Sequence, residues 1–255
     1  MATFGTILLT IIFAIIGYIF GNFPTGELIG KIFNRDIRHV GSGNIGATNV
    51  SRELGLKLGL LVLAIDALKA YLAVIVCLGI YCWSINRWFF MDSAKNTYAI
   101  ASVFYLGGLM AIIGHCYPIR YLIRLIKKDS TANEVKGGKG VSSTFGFICS
   151  ISIFLALIFV VVWCLVVYFT NYVSVASIIS VWISLVLVFV PYINMLYLMQ
   201  VHLWWNNIDH GAFHWDWPLI GIIAFYLLNA AIIVTIRHRD NIGRLSTGNE
   251  NKIHG

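Results

Sequence analysis

Three polar stretches hold most of the groups in this chain that could bind or transfer an anion. Gly41-Ser42-Gly43-Asn44-Ile45-Gly46-Ala47-Thr48-Asn49-Val50-Ser51-Arg52 packs three glycines, two amides, three hydroxyls and a guanidinium into twelve residues. Glycine lets successive backbone N–H groups turn onto an oxyanion, Ser42, Asn44, Thr48 and Asn49 can add side-chain donors, and Arg52 supplies counter-charge. Further on, Lys136-Gly137-Gly138-Lys139-Gly140-Val141-Ser142-Ser143 sets a glycine pair between two lysines just before an apolar run. That order reads as a second phosphate cradle, backbone N–H groups at a helix N-terminus reinforced by two ammonium groups. The tail, Arg237-His238-Arg239-Asp240-Asn241-Ile242-Gly243-Arg244, adds a histidine, an amide and several arginines, with Glu250 beyond.

Several familiar chemistries are excluded by context. Gly41 to Gly46 spells G-x-G-x-x-G with Asp66 twenty positions on, but no strand-like run precedes it and Asp66 lies inside a membrane-length apolar run, so a dinucleotide site fails. The second loop is not a Walker A motif: Gly140 stands where Ser or Thr would hold magnesium, and Asn133 where the leading glycine belongs. No G-x-S-x-G elbow occurs, and none of the seven histidines has an Asp five positions later. His202, His210 and His214 with Asp209 and Asp216 lack metal-ligand spacing except at His210 and His214, and Trp204, Trp205, Trp215 and Trp217 read instead as an interfacial aromatic belt. Cys77, Cys82, Cys116, Cys149 and Cys164 form no C-x-x-C pair and read as small buried hydrophobes. Neither a metal, a cofactor nor a nucleic-acid partner is expected.

The elements that must position these stretches are membrane helices. Of 255 residues, 59% are hydrophobic and 11% charged, the composition of an integral membrane protein with no large soluble domain, here a single domain over 1–255. The +7 formal charge is concentrated. Lys31, Arg35, Arg38, Arg52 and Lys57 flank the first polar stretch, Arg120, Arg124, Lys127, Lys128, Lys136 and Lys139 fill the second, and Arg237, Arg239, Arg244 and Lys252 the tail, leaving Lys69, Arg87 and Lys95 elsewhere. The positive-inside rule puts all three on the cytoplasmic face. Thr3 to Gly21 has no positive n-region or cleavage site, so it is expected to be a retained span whose N-terminus starts outside. Asn22 to Gly30 mixes helix breakers with one carboxylate and reads as a helix end and turn. Leu54 to Trp83 is a second span, with Asp66 and Lys69 at i,i+3 on one face, either a functional pair or a mutually neutralised structural one. Arg87, Asp92 and Lys95 mark an outer loop. Spans follow at Tyr98 to Gly114, Ser143 to Thr170, Tyr172 to Val201 and Trp217 to Ile236.

Taken together, the stretches resemble the bacterial membrane acyltransferases that move a fatty acyl group from acyl phosphate to glycerol 3-phosphate, the PlsY family. The likeness rests on G-S-G-N-x-G-A-T-N-x-x-R at Gly41 to Arg52, G-H-x-x-P at Gly114 to Pro118, K-G-G-K-G-V at Lys136 to Val141 and R-H-x-x-N-I-x-R-L at Arg237 to Leu245, and it covers most of the chain. Asp36-Ile37-Arg38 and the Asp66, Lys69 pair agree as well. The departures are Asn22 for the usual Ser, Ala70 for Gly, and Ser142-Ser143 for Ala-Thr. Between Pro118 and Lys136 there are roughly ten extra residues, a length that loop-closure entropy tolerates cheaply. The resemblance implies an all-α, polytopic seven-helix bundle in the plasma membrane with its active site facing the cytoplasm. It implies Ser42, Arg52, Lys139, His238 and Asn241 as catalytic residues, and Gly137, Gly138 and Gly140, with Lys136, as the glycerol 3-phosphate cradle. Asn44 and Thr48 would line a phosphate pocket with Gly41, Gly43, Gly46 and Asn49, Arg244 would also bind substrate, and Glu250 would be structural.

The chemistry agrees with the residues. Glycerol 3-phosphate and acyl phosphate each carry nearly two negative charges, so bringing them together requires the cations and N–H donors these loops offer. Acyl phosphate is already activated, and the expected product is lysophosphatidate acylated at the sn-1 hydroxyl. His238 or a substrate phosphate oxygen would take the hydroxyl proton. If the motifs share a face, an even number of crossings must separate Ser143 from Arg237, yet the apolar runs give three. A break is therefore expected near Ser150 to Ser152, as the family's seven helices also imply. The rival from another class, a transporter or channel for an organic phosphate, should show a repeat and polar groups at the bilayer midplane. Neither is visible. Acyl-chain preference and oligomeric state are not legible.

Overall fold

The computed structural model describes residues 2–87, 97–190 and 217–253, and every regular element among them is helical. The chain divides into two compact units, Met1–Asn96 with Val103–Phe147, and Thr97–Ser102 with Ile148–Gly255. Four described helical segments, Ile7–Ile32, Leu56–Tyr81, Ile153–Thr170 and Leu219–Arg237, are long and apolar enough to cross a membrane, and the bent pair Val103–Cys116 and Ile119–Ile126 passes the same test when taken as one span. The protein is thus an all-α, polytopic membrane protein. The histidine and tryptophan interval 202–216, and the outer-loop residues Asp92 and Lys95, lie outside the described residues.

The first unit is built on α1 (Ala2–Gly21), α2 (Thr25–Ile32), α3 (Ala47–Leu54), α4 (Leu56–Arg87), α5 (Thr97–Cys116) from Val103 on, and α6 (Ile119–Ile126). Small residues set its packing, as expected where lipid removes the hydrophobic drive between helices. A Cβ on Gly17 would lie 2.1 Å from the Gly107 carbonyl oxygen, one on Gly21 2.0 Å from that of Ala111, and one on Gly114 2.5 Å from that of Tyr18. The backbones of α1 and α5 therefore touch along a seam of glycine and alanine.

Two expectations are corrected here. Asn22 to Gly30 holds a helix, α2, and is not merely a turn. Pro24 occupies the position before its first residue, where a missing N–H costs nothing. Gly26 and Gly30, which read as breakers, are close-approach positions: their Cβ atoms would fall 1.9 Å from the Ile45 carbonyl oxygen and 2.6 Å from that of Arg35. The extra residues after Pro118 are also ordered. The helix axis bends by 63° between α5 and α6. Pro118 precedes α6, and Asn22 Oδ1 accepts the otherwise orphaned Ile119 N–H at 2.8 Å. A 3₁₀ turn, Ser130–Val135, follows, capped by Asp129, and Ala132 and Val135 pack with Tyr121 into a small core of their own. The Thr131 hydroxyl and N–H hold the Asp129 carboxyl below its ordinary range.

The second unit contains the last turn of α7 (Val141–Ile151), then α8 (Ile153–Thr170), α9 (Val173–Leu187), α10 (Trp217–Arg237) and α11 (Arg239–Ser246). The break expected near Ser150 to Ser152 is present. Ser152 is extended (φ −156°, ψ 123°) and its hydroxyl accepts the Leu155 N–H at 3.3 Å, ending α7 and capping α8. Asn171, in the left-handed region at φ 61°, ends α8 and turns the chain into α9. On α9, Ser174, Ser177, Ser180 and Ser184 are buried, a small-residue face against which neighbouring helices pack closely. Cys77 and Cys116 are buried, but Cys149 is half-buried and Cys164 exposed, contrary to the expectation that all were buried. On a helix that faces lipid, a small apolar thiol is as acceptable outside as inside.

Candidate active site

In the first stretch, Gly41 (φ 57°) and Gly43 (φ 67°) take left-handed backbone on either side of Ser42. Asn49 fixes that turn: its Oδ1 accepts the Ser42 N–H at 2.9 Å, and its Nδ2 donates to the Ile37 and Val40 carbonyls, each at 3.1 Å. With both amide hydrogens engaged and the side chain 2% exposed, the geometry of Asn49 is that of a brace beneath the Ser42 hydroxyl. The stretch is also not all loop. Gly46 is extended and α3 starts at Ala47, so Thr48 and Arg52 sit on a helix. The Ala47 and Thr48 N–H groups make no hydrogen bond among the described residues, and exposed Arg52 makes none and no ion pair. The Asn44 Oδ1 is buried without a partner.

The second stretch packs against the end of α5. The Gly137 N–H donates to the Cys116 carbonyl (3.2 Å) and the Gly138 N–H to the His115 carbonyl (3.1 Å), so these two groups clasp the end of α5. Their lack of a side chain serves close approach: a Cβ on Gly137 would lie 1.8 Å from the His115 carbonyl oxygen, and one on Gly138 2.1 Å from His115 Nε2. Within this stretch the N–H groups of left-handed Gly140 (φ 85°) and of Val141, Ser142 and Ser143, the first turn of α7, make no hydrogen bond among the described residues. These groups stand beside Lys139. Ser143 and Thr144 are fully buried there with unpartnered hydroxyls.

Arg38 ties the two stretches together. Its guanidinium grips Glu27 Oε2 at 2.8 and 3.0 Å, and donates to the Glu134 and Lys136 carbonyls at 2.9 and 2.7 Å. Glu27 in turn meets Lys31 at 3.0 Å and Arg120 at 2.8 Å. Sequence reasoning missed this hub. The available signal was one carboxylate, Glu27, in a stretch otherwise rich in cations.

Within the second unit the tail forms its own cluster. Buried His238 has Nδ1 2.8 Å from the Val234 carbonyl oxygen. A carbonyl can only accept, so Nδ1 carries the hydrogen and Nε2 is the basic nitrogen of the neutral ring. Glu250 is the organiser: Oε1 accepts from Asn241 Nδ2 at 2.5 Å and from the Ser174 hydroxyl at 3.0 Å, and Oε2 from Arg244 Nε at 2.8 Å. Burial pushes its carboxyl up, but the Asn241, Ser174 and Arg244 hydrogen bonds together outweigh burial and hold it below the ordinary value. The Asn241 Oδ1 remains buried and unpartnered.

The glycerol-3-phosphate acyltransferase family model matches residues 11–248. The chain belongs to that family. Glycerol-3-phosphate acyltransferases of Malacoplasma penetrans (39% identical, covering 95% of this chain and 93% of theirs) and Mycoplasma pneumoniae (34%, 97% and 96%) are similar along nearly their whole length. That of Aquifex aeolicus is 32% identical over 93% of this chain and 96% of its own. A crystal structure of PlsY, an integral membrane glycerol 3-phosphate acyltransferase, in its glycerol 3-phosphate form superposes with a TM-score of 0.67 at 29% identity, covering 96% of this chain and 95% of that one. The lysophosphatidic acid form gives 0.66 at 28%. Among the described residues, Arg52, the N–H groups of Ala47, Thr48 and Val141 to Ser143, and oriented His238 lie on or directly after the stretches that resemble the family's motifs.

Proposed function

We propose that the chain transfers a fatty acyl group from acyl phosphate to the sn-1 hydroxyl of glycerol 3-phosphate, releasing lysophosphatidate and phosphate at the cytoplasmic face of a bacterial plasma membrane. One observation carries the reading. Among the helix starts of the first unit that leave N–H groups unengaged, two stand on the glycine-rich polar stretches, Ala47 and Thr48 with Arg52 nearby, and Val141 to Ser143 beside Lys139. Two phosphorylated substrates require two such places. The solved relatives held glycerol 3-phosphate and lysophosphatidic acid, which supports the same acceptor and product here.

In this reading the glycerol hydroxyl oxygen attacks the acyl carbon and the bond from that carbon to the phosphate oxygen breaks. Phosphate leaves with the electron pair, and the hydroxyl proton passes to His238 Nε2 or to a phosphate oxygen. No acyl-enzyme forms. Ser42 and Arg52 neutralise the departing phosphate, with Gly41, Gly43, Asn44, Gly46 and Thr48 shaping their pocket. Lys136 and Lys139 bind glycerol 3-phosphate, on a loop that Gly137, Gly138 and Gly140 allow. Asn241 and Arg244 serve the same reaction, aligned by Glu250. The break at Ser152 supports four crossings between Gly140 and His238, hence seven helices with an outer N-terminus and all three motifs on one face.

Steady-state kinetics with each substrate varied in turn tests the two assignments. Arg52→Ala should depress kcat by roughly a hundredfold or more with little change in KM for glycerol 3-phosphate. Lys139→Ala should depress kcat and, unlike Arg52→Ala, also raise that KM. A KM effect confined to Arg52→Ala would reverse the two pockets.

A further inference from the structure

Asp66 and Lys69, the intramembrane pair whose purpose the sequence left open, do not stand alone. They belong to a buried chain of polar groups that runs from α2 to the Gly138 turn, all within the first unit. Thr25 Oγ1 donates to Asp66 Oδ1 at 2.8 Å, and Lys69 Nζ meets the same oxygen at 2.8 Å. Lys69 Nζ also lies 3.1 Å from the Phe23 carbonyl oxygen and 2.8 Å from His115 Nδ1. Thr25, Asp66, Lys69 and His115 are 2%, 1%, 6% and 7% exposed. An ammonium has three hydrogens and no lone pair, and it is surrounded here by a carboxylate, a carbonyl and an imidazole nitrogen. All three neighbours must accept. His115 Nδ1 then presents its lone pair to Lys69, and the ring hydrogen stands on Nε2, the edge that lies against the Gly138 backbone.

We propose that Asp66, Lys69 and His115 form a positioning triad in which Asp66 holds Lys69, Lys69 fixes the His115 ring as its Nε2–H tautomer, and the ring sets the place of the Gly138-Lys139 turn that receives glycerol 3-phosphate. The binding half of this rests on the proposed function; the tautomer half does not. His115 is a positioning residue, acting through the turn. The clasp of Gly137 and Gly138 onto the Cys116 and His115 carbonyls brings that turn onto the end of α5, and the ring fills the space a Gly138 side chain would need.

The test uses full-length protein in detergent or vesicles, labelled with ¹⁵N-histidine, the His115 signals being identified as those missing from His115→Gln. Wild type should show an Nε2–H ring. Lys69→Met should lose that fixed state. Because Lys69→Met leaves the Asp66 carboxylate buried alone, the charge-free double variant Asp66→Asn with Lys69→Met keeps the test open should the single variant fail to fold. An Nδ1–H or doubly protonated ring in wild type overturns the proposal. So does an unchanged tautomer in the double variant.

Kinetics read the other half. His115→Gln places an amide near the Nε2 position and should keep KM for glycerol 3-phosphate within about threefold, whereas His115→Asn reaches only the Nδ1 position and should raise it tenfold or more, with kcat changing less. Equal losses in both, tracking thermal stability, would reduce the triad to a structural feature and overturn the proposal. Wild type that shows the Nε2–H ring but no turnover of glycerol 3-phosphate would instead sink the functional reading, while the tautomer result stands.

Discussion

Adding one methyl group at Gly138 should be far more damaging than its size suggests. The backbone there is not in the left-handed region, so alanine is conformationally allowed and the penalty is steric. The new Cβ would lie 2.1 Å from His115 Nε2 and 2.7 Å from Cε1, where Cβ contacts below 3.0 Å essentially never occur, so the ring must retreat by about 0.9 Å. Its Nδ1 is held 2.8 Å from Lys69, and the ring is 7% exposed, so there is no solvent into which it can swing. Overpacking of this kind costs about 1–3 kcal/mol. If only about 1.4 kcal/mol of that appears in substrate binding, KM for glycerol 3-phosphate rises about tenfold. The decisive measurement is a double-mutant cycle on thermal stability and on KM. In a His115→Ala background the methyl has room, so Gly138→Ala should cost under about 0.5 kcal/mol, giving a coupling of about 2 kcal/mol. Additive effects of the two substitutions would refute the contact, and with it the reason offered for glycine at this position.

Other consequences are checked more simply. Glu250→Gln should lower the melting temperature at neutral pH and weaken catalysis by loosening Asn241 and Arg244. Because the folded carboxyl is held below its ordinary value, its stabilisation is complete above the ordinary carboxylate range and fades as pH falls through the lowered value. Wild type should therefore lose stability on acidification that the Gln variant has already lost, and parallel pH–stability curves would contradict this. Gly17→Ala should destabilise by about 2–3 kcal/mol by pressing on the Gly107 carbonyl, while Gly79→Ala, with nothing within 4 Å of its Cβ, should be neutral in the same detergent melts. Activity should survive chelators and thiol alkylation, since no cysteine or metal ligand enters the proposed step. Loss with either would mean a missed participant.

Much of this was legible in the chain. Apolar runs marked the spans, and the parity of crossings between Ser143 and Arg237 pointed to a break that Ser152 supplies. Which residues carry the chemistry was legible because a lipid-facing sequence has few polar groups to spare, so Gly41 to Arg52, Lys136 to Ser143 and the tail stand out. What a glycine is for was not legible. Gly26, Gly30, Gly137 and Gly138 read as breakers or as N–H donors, but each lies where a side chain would strike a carbonyl or a ring from a distant segment. That neighbour is set by tertiary packing, which no local pattern encodes. The same holds for Arg38, whose partners Glu27, Glu134 and Lys136 are up to 98 residues away in sequence. The helix after Pro118 was hidden for a different reason. Ile119, Ile123 and Ile126 recur at helical spacing, but the basic residues between them and the length of the insertion drew the reading toward a surface loop.

The donor is the central claim, and product formation tests it directly. Purified protein reconstituted in vesicles, given glycerol 3-phosphate with either acyl phosphate or acyl-CoA, should form lysophosphatidate and equimolar inorganic phosphate from acyl phosphate and almost none from acyl-CoA. Equal lysophosphatidate formation from acyl-CoA would contradict the donor assignment, and movement of glycerol 3-phosphate across the vesicle membrane with no lysophosphatidate from either donor would contradict the enzyme reading itself.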